Sequence, residues 1–197
     1  MPSRIEPPSD ERLAEHAEVW AGYEQVMGFV PETSLTMTRV PGLLDRYVAL
    51  ALTVGGSGLI SQELAQLVAH VTSSASGCRY CQAHTVAHAE KLGVAPEKLA
   101  DLWDVDESEH FDDAERAALR LAFHAGQHPN GVEDADIDAC REHFDDDQIT
   151  AIIAVCALFG FLNRWNDSLA SALEPAPLVA AERYLGPRGW DAGKHAP

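Results

Sequence analysis

The chain has 197 residues, enough for one domain with a substantial hydrophobic core, and 46% of them are hydrophobic. Its formal net charge of -17 disfavours phosphate backbones and anionic membranes, so we expect neither nucleic acid nor a membrane as a partner. The first residues lack the apolar run of a secretory signal, and no stretch approaches the roughly 20 apolar residues of a spanning helix. We therefore expect a cytoplasmic protein.

Apolar spacing predicts helices throughout the first half of the chain. A proline-rich arm, residues 1–8, precedes a first helix that Ser9 or Asp10 caps. The predicted helices cover residues 9–27, 41–52, 61–75 and 78–92, with a short helical turn after Pro31. Ser61 is the expected cap of the third of these helices.

The second half of the chain shows the same helical spacing. The predicted helices cover residues 96–103, 113–125, 133–144 and a long final helix from 146 that Pro175 stops. No alternation of period two extends beyond a few residues, so strands are not needed. The sequence predicts an all-α fold with one domain, residues 9–175, followed by a loop-rich tail, residues 176–197, that packs on a neighbour.

Two cysteines lie three residues apart at the start of a predicted helix, directly after the small-residue break at residues 76–77. Positions three apart share a helix side, with Cβ atoms roughly 5–6 Å apart, so Cys78 and Cys81 can form a disulfide with little backbone movement. The helix start favours a thiolate, which is the reactive form. In a reducing compartment such a pair is typically catalytic or metal-binding, whereas Cys140 and Cys156 are expected to be buried.

Histidines follow the cysteines on the same side of the predicted helix. At about 100° per residue, His84 and His88 fall on the stripe that carries both thiols, and His84 lies one turn beyond Cys81. The preceding helix has a narrow polar stripe that includes Glu63 and His70. The tight connection at residues 76–77 folds that helix back, so this stripe either faces water or relays protons to the sulfurs.

Zinc is the chemical rival for the cysteine motif. Cys78, Cys81 and His84 could supply three ligands, with His88 or His70 as a fourth. A structural zinc site usually draws its second pair of ligands from a distant segment, and no such pair is present. We therefore predict neither a metal nor a cofactor.

Two further polar groups are less specific. His124 and His128 are spaced for a metal, yet histidine near a helix end is stabilised simply by the helix dipole. Asn163, Arg164, Asn166 and Asp167 interrupt an apolar helix. They either line the mouth of an active site or a subunit contact, or mark where that helix leaves the core.

Residues 77–85, GCRYCQAHT, resemble the signature of the carboxymuconolactone decarboxylase superfamily in its alkylhydroperoxidase AhpD-like branch. The similarity extends over about residues 43–93. Residues 159–167, FGFLNRWND, resemble the asparagine-containing helix of peroxidase-related members. The resemblance implies an AhpD-like helical bundle, assembly into a homo-oligomer (dimer, trimer or hexamer), and thiol-dependent reduction of organic hydroperoxides.

The resemblance also implies roles for single residues. Cys81 corresponds to the cysteine that is oxidised to a sulfenic acid, and Cys78 to the proton donor and resolving thiol. In this family a downstream histidine and an upstream glutamate complete a proton relay. Here the histidine position is Thr85, with His84 one residue earlier, and the glutamate position is Gln66. Glu63 or His70, one turn to either side of Gln66, could substitute.

The expected function is therefore that of a peroxidase-like thiol oxidoreductase. Its partners would be a small-molecule hydroperoxide and an external dithiol or thioredoxin-like reductant. Two alternatives stay open: lactone decarboxylation within the same superfamily, and a non-enzymatic helical protein whose disulfide senses redox state or alters assembly. The candidate catalytic residues are Cys78, Cys81, His84, His70 and Glu63.

Overall fold

The computed structural model describes residues 3–197, and all regular elements in that range are helical, which confirms the predicted all-α class. Two short 3₁₀ turns, Gly186–Arg188 and Gly193–His195, follow the last α-helix. The α-helices are α1 (Asp10–Ala14), α2 (Ala17–Met27), α3 (Glu32–Met37), α4 (Leu43–Gly55), α5 (Gln62–Ala75), α6 (Arg79–Lys91), α7 (Pro96–Ala100), α8 (Asp113–Gly126), α9 (Asp134–Arg141), α10 (Asp146–Leu169) and α11 (Pro175–Tyr184).

Side-chain caps set the starts of three long helices. The Ser61 side chain accepts a hydrogen bond from the backbone N–H of Leu64 at the start of α5. Asp112 and Asp145 each form a reciprocal capping box, at α8 and α10. A cap satisfies backbone N–H groups that have no partner within the helix, so a polar residue just before an apolar run locates the start. These starts agree with the sequence-based prediction.

The predicted first helix, residues 9–27, is divided into α1 and α2. His16 leaves the helical conformation at φ -110° and ψ 25°. The carbonyl of Leu13 accepts hydrogen bonds from the indole N–H of Trp20 at 2.7 Å and from the backbone N–H of His16 at 3.1 Å. The division of the helix therefore leaves this carbonyl without an energetic penalty for an unpaired polar group.

The predicted role of Pro175 as a helix stop is wrong. Helix α10 already ends at Leu169, where Ala170 adopts a left-handed conformation with φ 50°, and Pro175 is the first residue of α11. Proline suits this first position because the backbone N–H it lacks would have no partner there, and its φ is already helical. Most of the segment predicted to be a loop-rich tail is therefore helical, in α11 and the two 3₁₀ turns, and α11 packs against α6.

Helix α5 lies at the centre of the core, between α6, α8 and α10. Its face from Leu64 to Ser73 is almost wholly buried. Helix α8 approaches α5 closely at Gly126, where an added Cβ would lie 2.5 Å from the carbonyl oxygen of Thr72. Only glycine permits this spacing, which holds α5 in place beneath the cysteine-bearing helix α6.

Helix α10 is, among the described residues, the one helix long and apolar enough to cross a membrane by length and composition. Core helices of other proteins pass the same test. Here α10 contacts α5, α6 and α8 and buries apolar residues such as Ile152 and Val155 against them. The helix therefore serves as a wall of the core.

Candidate functional site

Cys78 and Cys81 lie at the start of α6, as predicted. Cys78 is the N-cap residue and Cys81 lies in the first turn, and their side chains are 0% and 3% exposed. Both are free thiols, and they form a hydrogen bond with each other. The unpaired N–H groups of the helix start favour negative charge at this point, so one of the two sulfurs can be held as a thiolate.

A cavity of about 520 Å³ lies between α2, α4, α5, α6 and α10. Cys81 lines it, whereas Cys78 does not. Val26 and Leu52 also line the cavity and are 66% and 71% exposed, so the cavity reaches the surface there. Most of its wall is apolar and includes Val19, Val48, Ala51, Leu158, Phe159 and Leu162. A ligand in this cavity would meet the sulfur of Cys81 and an apolar surface.

Asn166 of α10 supports the sulfur that faces the cavity. Its side-chain N–H₂ donates to Cys81 Sγ at 3.5 Å and to the carbonyl of Leu162 at 3.0 Å. Its oxygen accepts a hydrogen bond from the hydroxyl of Thr33 at 2.6 Å, which fixes the amide orientation. The sequence left the role of Asn166 open between a site and a helix leaving the core. The structure places it in the site, where its N–H stabilises negative charge on the sulfur.

The two thiols differ in acidity because one donates to the other. Burial raises the pKa of Cys81 well above its ordinary value, and the neighbouring Cys78 raises it further. The hydrogen bond from Cys81 lowers the pKa of Cys78, against the opposing effect of burial. The first proton to leave the pair is therefore that of Cys78, whose thiolate can then accept the proton of Cys81.

His84 lines the cavity and is held by a carboxylate from a distant part of the chain. Its Nε2 lies 2.7 Å from Glu174 Oε2, and its ring stacks on Tyr80 with centroids 4.3 Å apart. The other oxygen of Glu174 accepts hydrogen bonds from the hydroxyl of Tyr80 at 2.9 Å and the backbone N–H of Glu32 at 2.7 Å. Glu174 therefore fixes the position of the histidine that follows the cysteines.

Sequence reasoning missed Glu174. The available signal was an acidic residue directly before Pro175, since acidic side chains favour helix starts, but Pro175 was interpreted as a stop. Burial alone would raise the pKa of Glu174. The hydrogen bond and charge of His84 and the backbone N–H of Glu32 outweigh burial and hold this pKa below its usual value.

Replacing Glu174 by glutamine is expected to destabilise the protein by about 2 kcal/mol at pH 7, because three hydrogen bonds lose their charged acceptor. The lowered pKa means that this stabilisation is fully present above pH 4.5 and is lost as the pH falls through the folded-state pKa. Chemical denaturation at neutral and acidic pH measures both effects. The control is Glu182→Gln, at an exposed position of α11, and equal stability of the two variants at pH 7 would contradict the expectation.

His70 is buried beside α6 rather than exposed on a polar face. Its Nδ1 lies 3.0 Å from the hydroxyl of Thr85, which itself donates to the backbone carbonyl of Cys81. Burial lowers the pKa of His70 to about 4, so its imidazole is neutral at pH 7. A connection from His70 to Cys81 therefore runs through a hydroxyl and the backbone, and a relay role for His70 stays a prediction.

Glu63 lies exposed in the first turn of α5 and does not line the cavity. Gln66, one turn later, does line it. The residues of the polar stripe predicted from sequence thus have three different environments: Glu63 faces solvent, Gln66 lines the cavity and His70 is buried in the core. A relay role for Glu63 also stays a prediction.

Cys78, Cys81 and His84, the three ligands of the zinc alternative, do not form a ligand cluster among the described residues. Among the described residues, the histidine, cysteine and acidic groups close enough to share an ion are Cys78, Asp167 and His195. His84 is hydrogen-bonded to Glu174 instead. His124 lies 2.8 Å from Asp136, and His128 contacts Arg164, so these two histidines have separate partners.

Residues 41–123 match the model of the carboxymuconolactone decarboxylase family. The structure of the debrominase Bmp8 is similar, with a TM-score of 0.84, 30% identity and coverage of 90% of this chain and 96% of that one. A cysteine-to-alanine variant of Bmp8 in complex with 2,3,4-tribromopyrrole has a TM-score of 0.86, 29% identity and coverage of 93% and 98%.

Two other proteins are similar to this chain. A peroxidase-related protein with an AhpD core from Ralstonia eutropha JMP134, itself uncharacterised, has a TM-score of 0.78, 23% identity and coverage of 89% of this chain and 94% of that one. The uncharacterised protein YdfG of Bacillus subtilis is 26% identical over 108 residues, which are 54% of this chain and 71% of YdfG. The likenesses to solved structures extend beyond the cysteine motif to most of the fold.

Proposed function

Because this chain belongs to the carboxymuconolactone decarboxylase superfamily, in its AhpD-like branch, we propose that it is a thiol-dependent oxidoreductase that reduces organic hydroperoxides. One observation carries the proposal. Cys81 faces a largely apolar cavity, and Cys78 lies behind it within hydrogen-bonding contact. A substrate in the cavity can thus reach the sulfur of Cys81. The sulfur of Cys78 does not face the cavity and is positioned to form a disulfide with Cys81 afterwards.

The reaction proceeds in two steps. Cys81 gives its proton to the Cys78 thiolate and attacks the terminal oxygen of the hydroperoxide, so the O–O bond breaks, the alcohol leaves and Cys81 becomes a sulfenic acid. Cys78 then attacks the sulfenic sulfur, forms the disulfide and releases water. Asn166 stabilises the developing thiolate on Cys81 through its N–H. An external dithiol or thioredoxin-like reductant restores both thiols by exchange.

The apolar wall of the cavity favours a substrate with a hydrocarbon body over hydrogen peroxide. His84, held by Glu174, supplies a polar group on the same wall and is the proposed proton donor to the leaving alkoxide. We place the protein in the cytoplasm, where reductants of this kind act. Helix α4 exposes Leu50 and Leu52, at 52% and 71%, which supports a homo-oligomer.

Reductive dehalogenation is a second candidate, favoured by the likeness to Bmp8, whose cysteine variant is seen with 2,3,4-tribromopyrrole. The same two thiols hold two electrons. These could replace a carbon–bromine bond by carbon–hydrogen, release bromide and leave the same Cys78–Cys81 disulfide. A flat apolar ring would suit the cavity wall, so both candidates use the same sulfur and the same pocket.

The deciding experiment gives reduced protein one equivalent of cumene hydroperoxide or of a brominated pyrrole, each without added reductant. Peroxide loss, bromide release and intact mass are measured together. Peroxidase chemistry predicts one alcohol and one disulfide per chain, with Cys140→Ser as the matched control that reacts equally. If the disulfide forms only with the brominated pyrrole, with release of bromide, the function is reductive dehalogenation. No reaction with either compound would overturn the proposed function.

A further inference from the structure

Cys78 has polar surroundings of its own on the side away from the cavity. Its sulfur, a carboxylate oxygen of Asp167 and a ring nitrogen of His195 all lie within 4.8 Å of one another. Neither Asp167 nor His195 lines the cavity. The side chains of Cys78 and His195 are 0% and 1% exposed. A histidine from the C-terminal segment thus lies buried beside the resolving thiol.

The hydrogen bonds of His195 define which of its nitrogens is free. Its Nδ1 lies 2.8 Å from the backbone carbonyl of Ser171, and because a carbonyl only accepts, Nδ1 carries the proton. Nε2 of the neutral ring is therefore a lone-pair acceptor. It is buried without a hydrogen-bond partner among the described residues and lies 3.5 Å from Asp167 Oδ1. Two hydrogen-bond acceptors, Nε2 of His195 and the carboxylate of Asp167, therefore face each other beside the Cys78 thiol, and this cluster can bind one further proton.

We propose that His195 accepts the proton of Cys78 when Cys78 resolves the sulfenic acid on Cys81, and that Asp167 stabilises the resulting imidazolium. The proposal rests on the proposed function and assigns it a second proton acceptor. The Cys78 S–H bond breaks and its proton moves to Nε2 of His195. The Cys78 thiolate attacks the Cys81 sulfur, the S–S bond forms and hydroxide leaves. The hydroxide takes up a proton from solvent in the cavity, which reaches the surface, and the imidazolium returns its proton to solvent through Asp167, so the step releases one water.

The need for this acceptor follows from the first step. In the reduced pair, the S–H of Cys81 donates to Cys78 and lowers the pKa of the Cys78 thiol. Cys81 loses that S–H when it becomes a sulfenic acid, and in the proposed first step Cys78 has already taken up a proton. Cys78 therefore starts the second step as a thiol without its former donor, and a base must lie on its other side.

The charged groups around His195 are compatible with this role. Asp167 is paired with Lys194 at 2.7 Å and is 42% exposed, so it connects the buried ring to solvent. Arg79 pairs with Asp191 on the outer side of the same segment. The ring of Tyr80 lies 5.9 Å from that of His195. Burial lowers the pKa of His195, against its contacts with Ser171 and Asp167, and the neutral ring is the form that can accept a proton.

A thiolate titration tests this role without any peroxide. In a Cys81→Ala background, ultraviolet absorbance reports ionisation of Cys78, because burial raises the pKa values of Cys140 and Cys156 to about 11. Adding His195→Gln is expected to raise the apparent pKa of Cys78 by about one unit or more, since the thiolate loses its imidazolium partner. The matched control is His143→Gln, at an exposed position. An unchanged titration would overturn the proposal.

Single-turnover kinetics provide the second readout. With one equivalent of hydroperoxide, His195→Gln should consume peroxide about tenfold more slowly, because the raised pKa of Cys78 leaves less thiolate to take the proton of Cys81. It should close the disulfide about 10²-fold more slowly, and its sulfenic acid should be trapped by dimedone. Asp167→Asn, at a partly exposed position, is the second variant and should slow the same step. Wild-type disulfide rates in both variants would refute the role of His195. If wild type consumes no peroxide, the proposed function fails, while the thiolate titration still decides this proposal.

Discussion

Replacing Cys81 by serine is expected to lower hydroperoxide reduction on the order of 10³-fold or more, because the variant lacks the proposed nucleophile. Cys81 is the sulfur that lines the cavity, and the hydroxyl of a serine does not form a sulfenic acid. Cys78, which does not line the cavity, cannot take its place. Peroxide consumption and intact mass after one equivalent of cumene hydroperoxide measure the effect.

Cys78→Ser is the matched variant and should fail one step later. It should consume one equivalent of peroxide and stop with a sulfenic or over-oxidised Cys81, because no neighbouring thiol closes the disulfide. Cys156→Ser, at a buried cysteine of α10, should behave like wild type in mass and in peroxide loss. If the Cys78 and Cys81 variants react alike, the assigned order of the two sulfurs is wrong.

Acidification from pH 6.5 to about 4 is expected to remove about 3 kcal/mol of stability through His70 alone. Burial lowers the pKa of this histidine from 6.5 in the unfolded chain to about 4 in the folded protein. Within that window the unfolded chain binds a proton at residue 70 and the folded protein does not. Stability from the neutral ring is therefore fully present above pH 6.5 and declines as the pH falls toward the folded-state pKa.

His70→Gln isolates this contribution because glutamine does not titrate. Chemical denaturation of wild type and variant across the window should give a difference in unfolding free energy that shrinks as the pH falls. The carboxylates contribute equally to both curves and cancel. His143→Gln, at an exposed position, should keep the wild-type slope. Parallel curves for wild type and His70→Gln would show that His70 is not buried as a neutral ring.

Much of the helical pattern followed from local chemistry. Ser61, Asp112 and Asp145 each precede an apolar run, and a side-chain acceptor at that point satisfies backbone N–H groups wherever the helix later packs. Trp20 and Pro175 show where this reasoning ends. The predicted first helix is divided at His16, beside the bond from Trp20 to the Leu13 carbonyl, and proline stops one helix as readily as it starts another. Choosing between these outcomes depends on contacts with the rest of the chain.

The site shows the same limit. The spacing of Cys78, Cys81 and His84 placed them together at the start of one helix, because helical periodicity depends only on the residues themselves. Their partners Asn166, Glu174 and His195 come from α10 and the segment after it, more than 80 positions along the chain. Nothing in the local sequence of α5 indicates what its polar stripe will pack against. The sequence therefore did not predict that Glu63 faces solvent, Gln66 lines the cavity and His70 is buried in the core.

The amino-acid sequence by itself therefore determined the helical class, the main helix starts and the pairing of two thiols at the start of α6, since each depends on interactions within a few residues. Only the tertiary structure decided which sulfur meets the cavity, which carboxylate holds His84 and which imidazole lies beside Cys78. Those arrangements come from helix packing, in which the burial of apolar side chains brings distant segments together. The hydrophobic effect is not directional, so the local sequence does not indicate which polar groups will come into contact.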